Sequence, residues 1–182
     1  MKNKKEVSKI FYITLRYLVL LLIAFPNLYL FYFVFTPLTI YPVYFLLKLF
    51  FNVSLNASII EFNSYAIEIV KACVAGSAYY LLLILNFTTP MKLKTRIFSL
   101  LFSFSSFLLL NILRIFAFSI LFIESFYFFN ALHLFFWYVV SSLLVFIIWL
   151  LNIKLFKIKN IPFYADLSFL YKKAKPRKPK LK

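Results

Sequence analysis

The chain of 182 residues contains one cysteine, one glycine, one histidine and five acidic residues. A single cysteine excludes an intrachain disulfide and every multi-cysteine metal site. With only one histidine beside it, no zinc constellation can be assembled, and neither metal nor cofactor is expected. The shortage of acids, set against 21 Lys and Arg, leaves a formal net charge of +16. In a soluble protein that charge would suggest nucleic acid, but no reading motif or base-stacking platform accompanies it, so no nucleic-acid partner is expected. Strand-like alternation is missing from the apolar runs, which excludes an outer-membrane barrel.

What is present is apolar: 64% of residues are hydrophobic and 23% aromatic, with 26 Phe. A soluble domain of this size has too little interior to hide so much apolar surface. The runs Ile10 to Phe35, Ile97 to Phe122 and Ala131 to Leu151 each hold ~20 or more mainly apolar residues, the length a helix needs to cross a bilayer. The sequence therefore predicts an all-α polytopic membrane protein, a bundle of about four to five transmembrane helices. Its basic clusters, "MKNKKEVSK", "MKLKTR" and "YKKAKPRKPKLK", flank apolar runs, as cytoplasmic segments do. The amino-terminal apolar stretch outruns the ~7–15 residues of a signal core and lacks a small-x-small cleavage site, so it reads as an uncleaved anchor.

The first span is expected from Ile10 to about Phe35, with a kink at Pro26. Pro37 and Pro42 then delimit a shorter apolar segment ending at Lys48. If that segment crosses, the next one lies inside; if it re-enters or lies in the interface, the next one lies outside. Two short β-branched runs, Ser58 to Phe62 and Ala66 to Val70, read as a small extramembrane β-hairpin with Asn63 and Ser64 in the turn. Sheet backbone is not left exposed to lipid. Further spans are expected at Ala72 to Phe87, Ile97 to Phe122 and Ala131 to Leu151. Residues 1–151 thus form a single transmembrane domain. Residues 152–182 form a basic cytoplasmic tail, expected to be disordered after Tyr171. No repeat or second domain is evident.

Three polar exceptions fall at one depth. At ~1.5 Å per residue, Cys73 lies ~21 Å from the cytoplasmic end of its helix, Arg114 ~26 Å and His133 ~27 Å. All three belong to the outer part of a hydrocarbon core ~30 Å thick, on consecutive helices that tend to be neighbours. Plain readings exist: Cys73 as a small packing residue, His133 as an interfacial polar group. Arg114 is harder to place so, because an intramembrane arginine costs ~3 kcal/mol or more unless it faces a polar site. Asn111, one turn back, makes that face polar.

The chemistry suited to this set is thiol acyl transfer. A neighbouring cation or imidazole lowers a thiol's pKa and supplies a base. His133 would take the thiol proton and return it to the leaving amine, and Arg114 would hold the thiolate or oxyanion. Gly76 and Ser77, one turn beyond Cys73, would leave room for a substrate backbone. The competing reading is a non-catalytic scaffold or small transporter subunit, with Arg114 paired to an acid such as Glu124.

Read in order, "TPLTIYPVYFLLKLFF", the hairpin, "IEIVKAC", the basic loop, "NILRI" and the histidine of the last helix resemble the exosortase/archaeosortase family, over roughly Thr36 to Leu151. The compact archaeal forms are the most similar in length. Cys73, Arg114 and His133 match the family's cooperating Cys, Arg and later His or Arg. "CVAGS" departs from its pattern: Val74 stands where a small hydroxyl residue is usual, and Gly76 is one place late. The resemblance implies a membrane cysteine transpeptidase with its active site on the extracytoplasmic side. It would cleave exported proteins at a carboxy-terminal signal of motif, helix and basic cluster, and pass them to a lipid-linked acceptor. Such a face requires that Pro37 to Phe51 make no full net crossing, or that the amino terminus lie outside.

Overall fold

Pro26 sets the first architectural feature. The computed structural model describes residues 2–62, 65–158 and 162–174. Helix α1 (Lys2–Ala24) ends just before Pro26, Asn27 and Leu28 take positive φ of 49° and 58°, and α2 (Tyr29–Lys48) begins afresh. A missing proline N–H weakens the helical ladder, and left-handed backbone after it cannot continue a right-handed helix. The expected kinked span to Phe35 is therefore two helices. Pro37 and Pro42 do not delimit a segment but lie inside α2. Neighbouring helices supply the packing that offsets their lost backbone bonds: Thr39, Ile40, Val43 and Leu47 around them are buried.

After α2 comes a three-stranded antiparallel meander, β1 (Ser54–Asn56), β2 (Ile59–Glu61) and β3 (Ala66–Glu68), in that order. The expected hairpin corresponds to β2 and β3; β1 is an addition, and the anticipated turn at Asn63 and Ser64 lies outside the described residues. Leu55, Ile60 and Ile67 are paired across the sheet. Ile60 is fully buried, so this face covers the bundle while alternate residues face outward.

The span expected at Ala72 to Phe87 is divided into α3 (Lys71–Val74) and α4 (Gly76–Thr88), with Ala75 between them in left-handed conformation at φ 57°. Next, α5 (Leu93–Ile123) is continuous over 31 residues. The last span starts as α6 (Phe129–Phe135), widens into a π-helical turn at Phe136–Val140 and continues as α7 (Ser141–Leu155). Among the described residues five helices are long and apolar enough to cross a membrane, as a multi-pass membrane protein requires. Their outward faces carry large apolar side chains such as Phe11, Leu21, Phe33, Phe45 and Phe146.

Contacts order the helices from end to end. Arg16 on α1 pairs with Asp166 of α8 (Tyr164–Ala174) and lies within electrostatic reach of Arg96, at the start of α5. Further along, the Tyr80 hydroxyl donates to the Leu20 carbonyl at 3.0 Å. On α2, Phe31 meets Tyr80 and Phe104 and Phe35 stacks on Tyr79 at 3.6 Å; Phe50, in the turn just past α2, reaches Phe116. The partners on α5 thus climb from Arg96 through Phe104 to Phe116. These contacts run α1 and α2 in succession from a basic end, which holds α8 and the start of α5 with Lys94 and Arg96, to a sheet end. The basic loop expected at Lys92, Lys94 and Arg96 is the first turn of α5 and its N-cap. The tail is not disordered directly after Tyr171, since α8 continues to Ala174; residues 175–182 lie outside the described residues.

Buried amides join the helices nearer the basic end. Asn86 donates to the Ser99 hydroxyl, and Asn152 donates to the Ser99 carbonyl at 3.1 Å and to the Ser103 hydroxyl. Lipid offers helices no hydrophobic drive to associate, so small residues and such bonds hold α4, α5 and α7 together.

Candidate active site

The break at Ala75 creates the site's central feature. In an unbroken helix the Cys73 carbonyl would accept from the amide four residues on. With Ala75 left-handed that ladder stops, and a buried carbonyl needs another donor. α5 supplies two: Asn111 Nδ2 at 2.9 Å and Arg114 Nη2 at 3.3 Å. Their spacing of three residues puts both on the same helical face. The second arm of Arg114, Nη1, donates to Ser141 Oγ, whose own hydroxyl proton goes to the Phe136 carbonyl at 2.9 Å. Ser141 is in position because the π-helical turn just before it opens the ladder by one residue.

Cys73, Arg114 and His133 line one cavity of about 250 Å3 at the sheet end, and a second, smaller recess beside it is lined by the same three residues. Aromatic walls from Phe118, Phe122, Phe129, Phe136 and Trp137 enclose the larger cavity, and Ala66, Ile67 and Glu68 of β3 form its remaining side. His133 is exposed and held among rings, at 5.4 Å from Phe118 and 5.6 Å from Phe129 between centroids. The Cys73 side chain is half-buried and in no disulfide. Among the described residues no hydrogen bond joins the thiol to the imidazole. Catalytic contacts of this kind often tighten only once substrate is bound. The arrangement offers a thiol, a base within the same cavity and a fixed cation, which are the parts of a thiol acyl-transfer site.

Other expected residues have different surroundings. Gly76 is buried and does not line the cavity; a Cβ there would come within 2.9 Å of the Tyr32 ring. The space beside it is filled by α2, not left open for a peptide. Ser77 is exposed and lines a separate recess together with Tyr32, Arg114 and Ser141. Glu124 caps α5 and forms no ion pair with Arg114 among the described residues. No cluster of three or more potential metal ligands occurs among the described residues.

Sequence reasoning did not single out Ser141, Trp137, Phe118 or Glu68. Ser141 did carry a signal, because Ser141 and Ser142 interrupt an otherwise apolar run. The aromatic residues carried none, being indistinguishable from the many that face lipid. Compared with family models, curated proteins and solved structures, the chain matches none of them.

Proposed function

We propose that this protein is a membrane cysteine transpeptidase, of the kind the exosortase/archaeosortase family contains, acting on exported proteins at the extracytoplasmic surface. The observation that supports it is the meeting of Cys73, Arg114 and His133 on one cavity beside the three-stranded sheet. The Cys73 sulfur would attack the scissile carbonyl while His133 accepts its proton. The oxyanion would form near the Arg114 guanidinium, where a dry surrounding makes a fixed cation most effective. Collapse would give a thioester on Cys73 and an amine leaving with the His133 proton. An incoming amine, read here as lipid-linked, would then attack the thioester and regenerate the thiol. The substrate would be an exported chain ending in a motif, a membrane helix and a basic cluster.

One observation favours the other reading, a non-catalytic scaffold or transporter subunit. The Arg114 donors already serve the Cys73 carbonyl and Ser141, which lets Arg114 act as a clamp between α3, α5 and α7. The two readings part on Cys73. A Cys73→Ala variant expressed in its native host should accumulate unprocessed surface proteins, with processing reduced by at least ~1,000-fold, the scale expected when a nucleophile is removed. An impermeant thiol reagent added outside intact cells should do the same to the wild type. Normal processing by Cys73→Ala would overturn the enzymatic reading.

A further inference from the structure

The sheet beside the cavity has a free edge, and its register shows which backbone groups that edge presents. The strand order β1-β2-β3 leaves β3 outermost. Ile69 donates its N–H to the Ser58 carbonyl at 2.9 Å, and Phe62 donates to the Tyr65 carbonyl at 2.7 Å. In an antiparallel pair, hydrogen-bonded and non-bonded positions alternate. The positions Ile59↔Glu68 and Glu61↔Ala66 are therefore the non-bonded ones. The N–H and C=O of Ala66 and Glu68 turn away from β2, and among the described residues no backbone bond from outside the sheet reaches them. Both residues are exposed, and with Ile67 they line the cavity that contains Cys73. Tyr65 packs edge-on against Phe122 of α5, which holds this edge against the bundle.

We propose that the substrate docks as a fourth strand on β3, an extended peptide bonded to the backbone of Ala66 and Glu68. This deepens the transpeptidase reading and rests on it. Unpaired strand edges are templates for added strands, and such pairing recognises main chain while pockets for alternate side chains supply selectivity. A peptide in helical form has its carbonyls engaged internally, whereas an extended one at this edge leaves alternate carbonyls free beside the cavity that Cys73 lines. Alternate side chains of the added strand point to one face. Here that face meets Phe118, Phe122, Phe129, Phe136 and Trp137, so the substrate class is an extended segment with an apolar or aromatic residue at every second position.

The test uses the full-length protein in detergent micelles and a panel of acetylated tetrapeptide vinyl sulfones with Phe, Leu or Val at alternate positions. The Cys73 sulfur adds to the vinyl group and its proton ends on the carbon beside the sulfone, so alkylation is read by mass. Methyl vinyl sulfone reports intrinsic thiol reactivity. At least one peptide should react about tenfold or more faster than methyl vinyl sulfone, and N-methylation should slow it by about tenfold at every second residue only, the scale of one lost backbone bond. Ala66→Pro removes an outward N–H that β2 does not use, a place where an edge strand tolerates proline. It should slow the peptides and leave methyl vinyl sulfone unchanged. Peptides no faster than methyl vinyl sulfone, or N-methylation without alternation, would overturn strand docking. In that case loss of processing in Cys73→Ala would still stand, so failure of the docking mode is distinguishable from failure of the transpeptidase reading.

Discussion

Backbone conformation at single residues decides what the site contains. Ala75 is the one whose left-handed turn releases the Cys73 carbonyl to Asn111 and Arg114. Nothing in "KACVAGS" marks that alanine, since the left-handed region is ordinarily taken by Gly or Asn; tertiary bonds to α5 stabilise it instead. Gly76 shows the reverse: the sequence marked it as room for a substrate backbone, but the group against it is the Tyr32 ring. Gly76→Ala should therefore destabilise the protein by about 1–3 kcal/mol through overpacking, measured as thermal unfolding in detergent. Adding Tyr32→Leu should recover most of that loss, with processing restored. If Gly76→Ala/Tyr32→Leu is stable yet inactive, glycine serves the substrate after all. Cys73, Arg114 and His133 stand out in the sequence as polar exceptions within apolar runs, and the three line one cavity.

Elements were legible where their signal is local. Long apolar runs gave α5 and the last span to within a few residues, because hydropathy and length suffice for a membrane helix. Breaks were harder to read. Pro26 ends α1, whereas Pro37 and Pro42 leave α2 intact, and the difference is set by what packs around each. The π-helical turn at Phe136–Val140 has no composition of its own. Helix α8 was hidden by the Lys and Pro content beyond it. Its attachment is visible in the structure: Asp166 bonds Arg16 and accepts from the Tyr17 hydroxyl at 3.2 Å, and Lys9 sits over the Phe169 ring. Asp166→Asn should cost about 1–3 kcal/mol, the scale of a charged hydrogen bond left with one partner. Hydrogen exchange should show faster amide exchange across residues 164–174, with processing unchanged. Loss of processing in that variant would make α8 necessary for the proposed activity.

At the scale of the molecule, the contacts of Arg16, Leu20, Phe31 and Phe50 run α1 and α2 in succession between the two ends, which predicts that together they cross once. Basic residues of the amino-terminal helix, the start of α5 and α8 then share one end, opposite the sheet and Cys73. Basic segments favour the cytoplasmic side, so the sheet end should face outward. Single-cysteine reporters in a Cys73→Ala background test this with an impermeant maleimide on intact cells. Asn56→Cys should label directly, whereas Ser8→Cys and Lys94→Cys should label only after permeabilisation. Direct labelling of Ser8→Cys alongside a protected Lys94→Cys would mean that α1 and α2 cross separately. The sequence by itself determined the membrane class and the places of α5 and the last span, since hydropathy and length are properties of each segment alone. Only the tertiary structure decided the rest: the course of α1 and α2 along the bundle, the partner of the Cys73 carbonyl and the occupant of the space beside Gly76. Those depend on how helices rotate and shift against one another, which is set by side-chain packing between segments far apart in the chain.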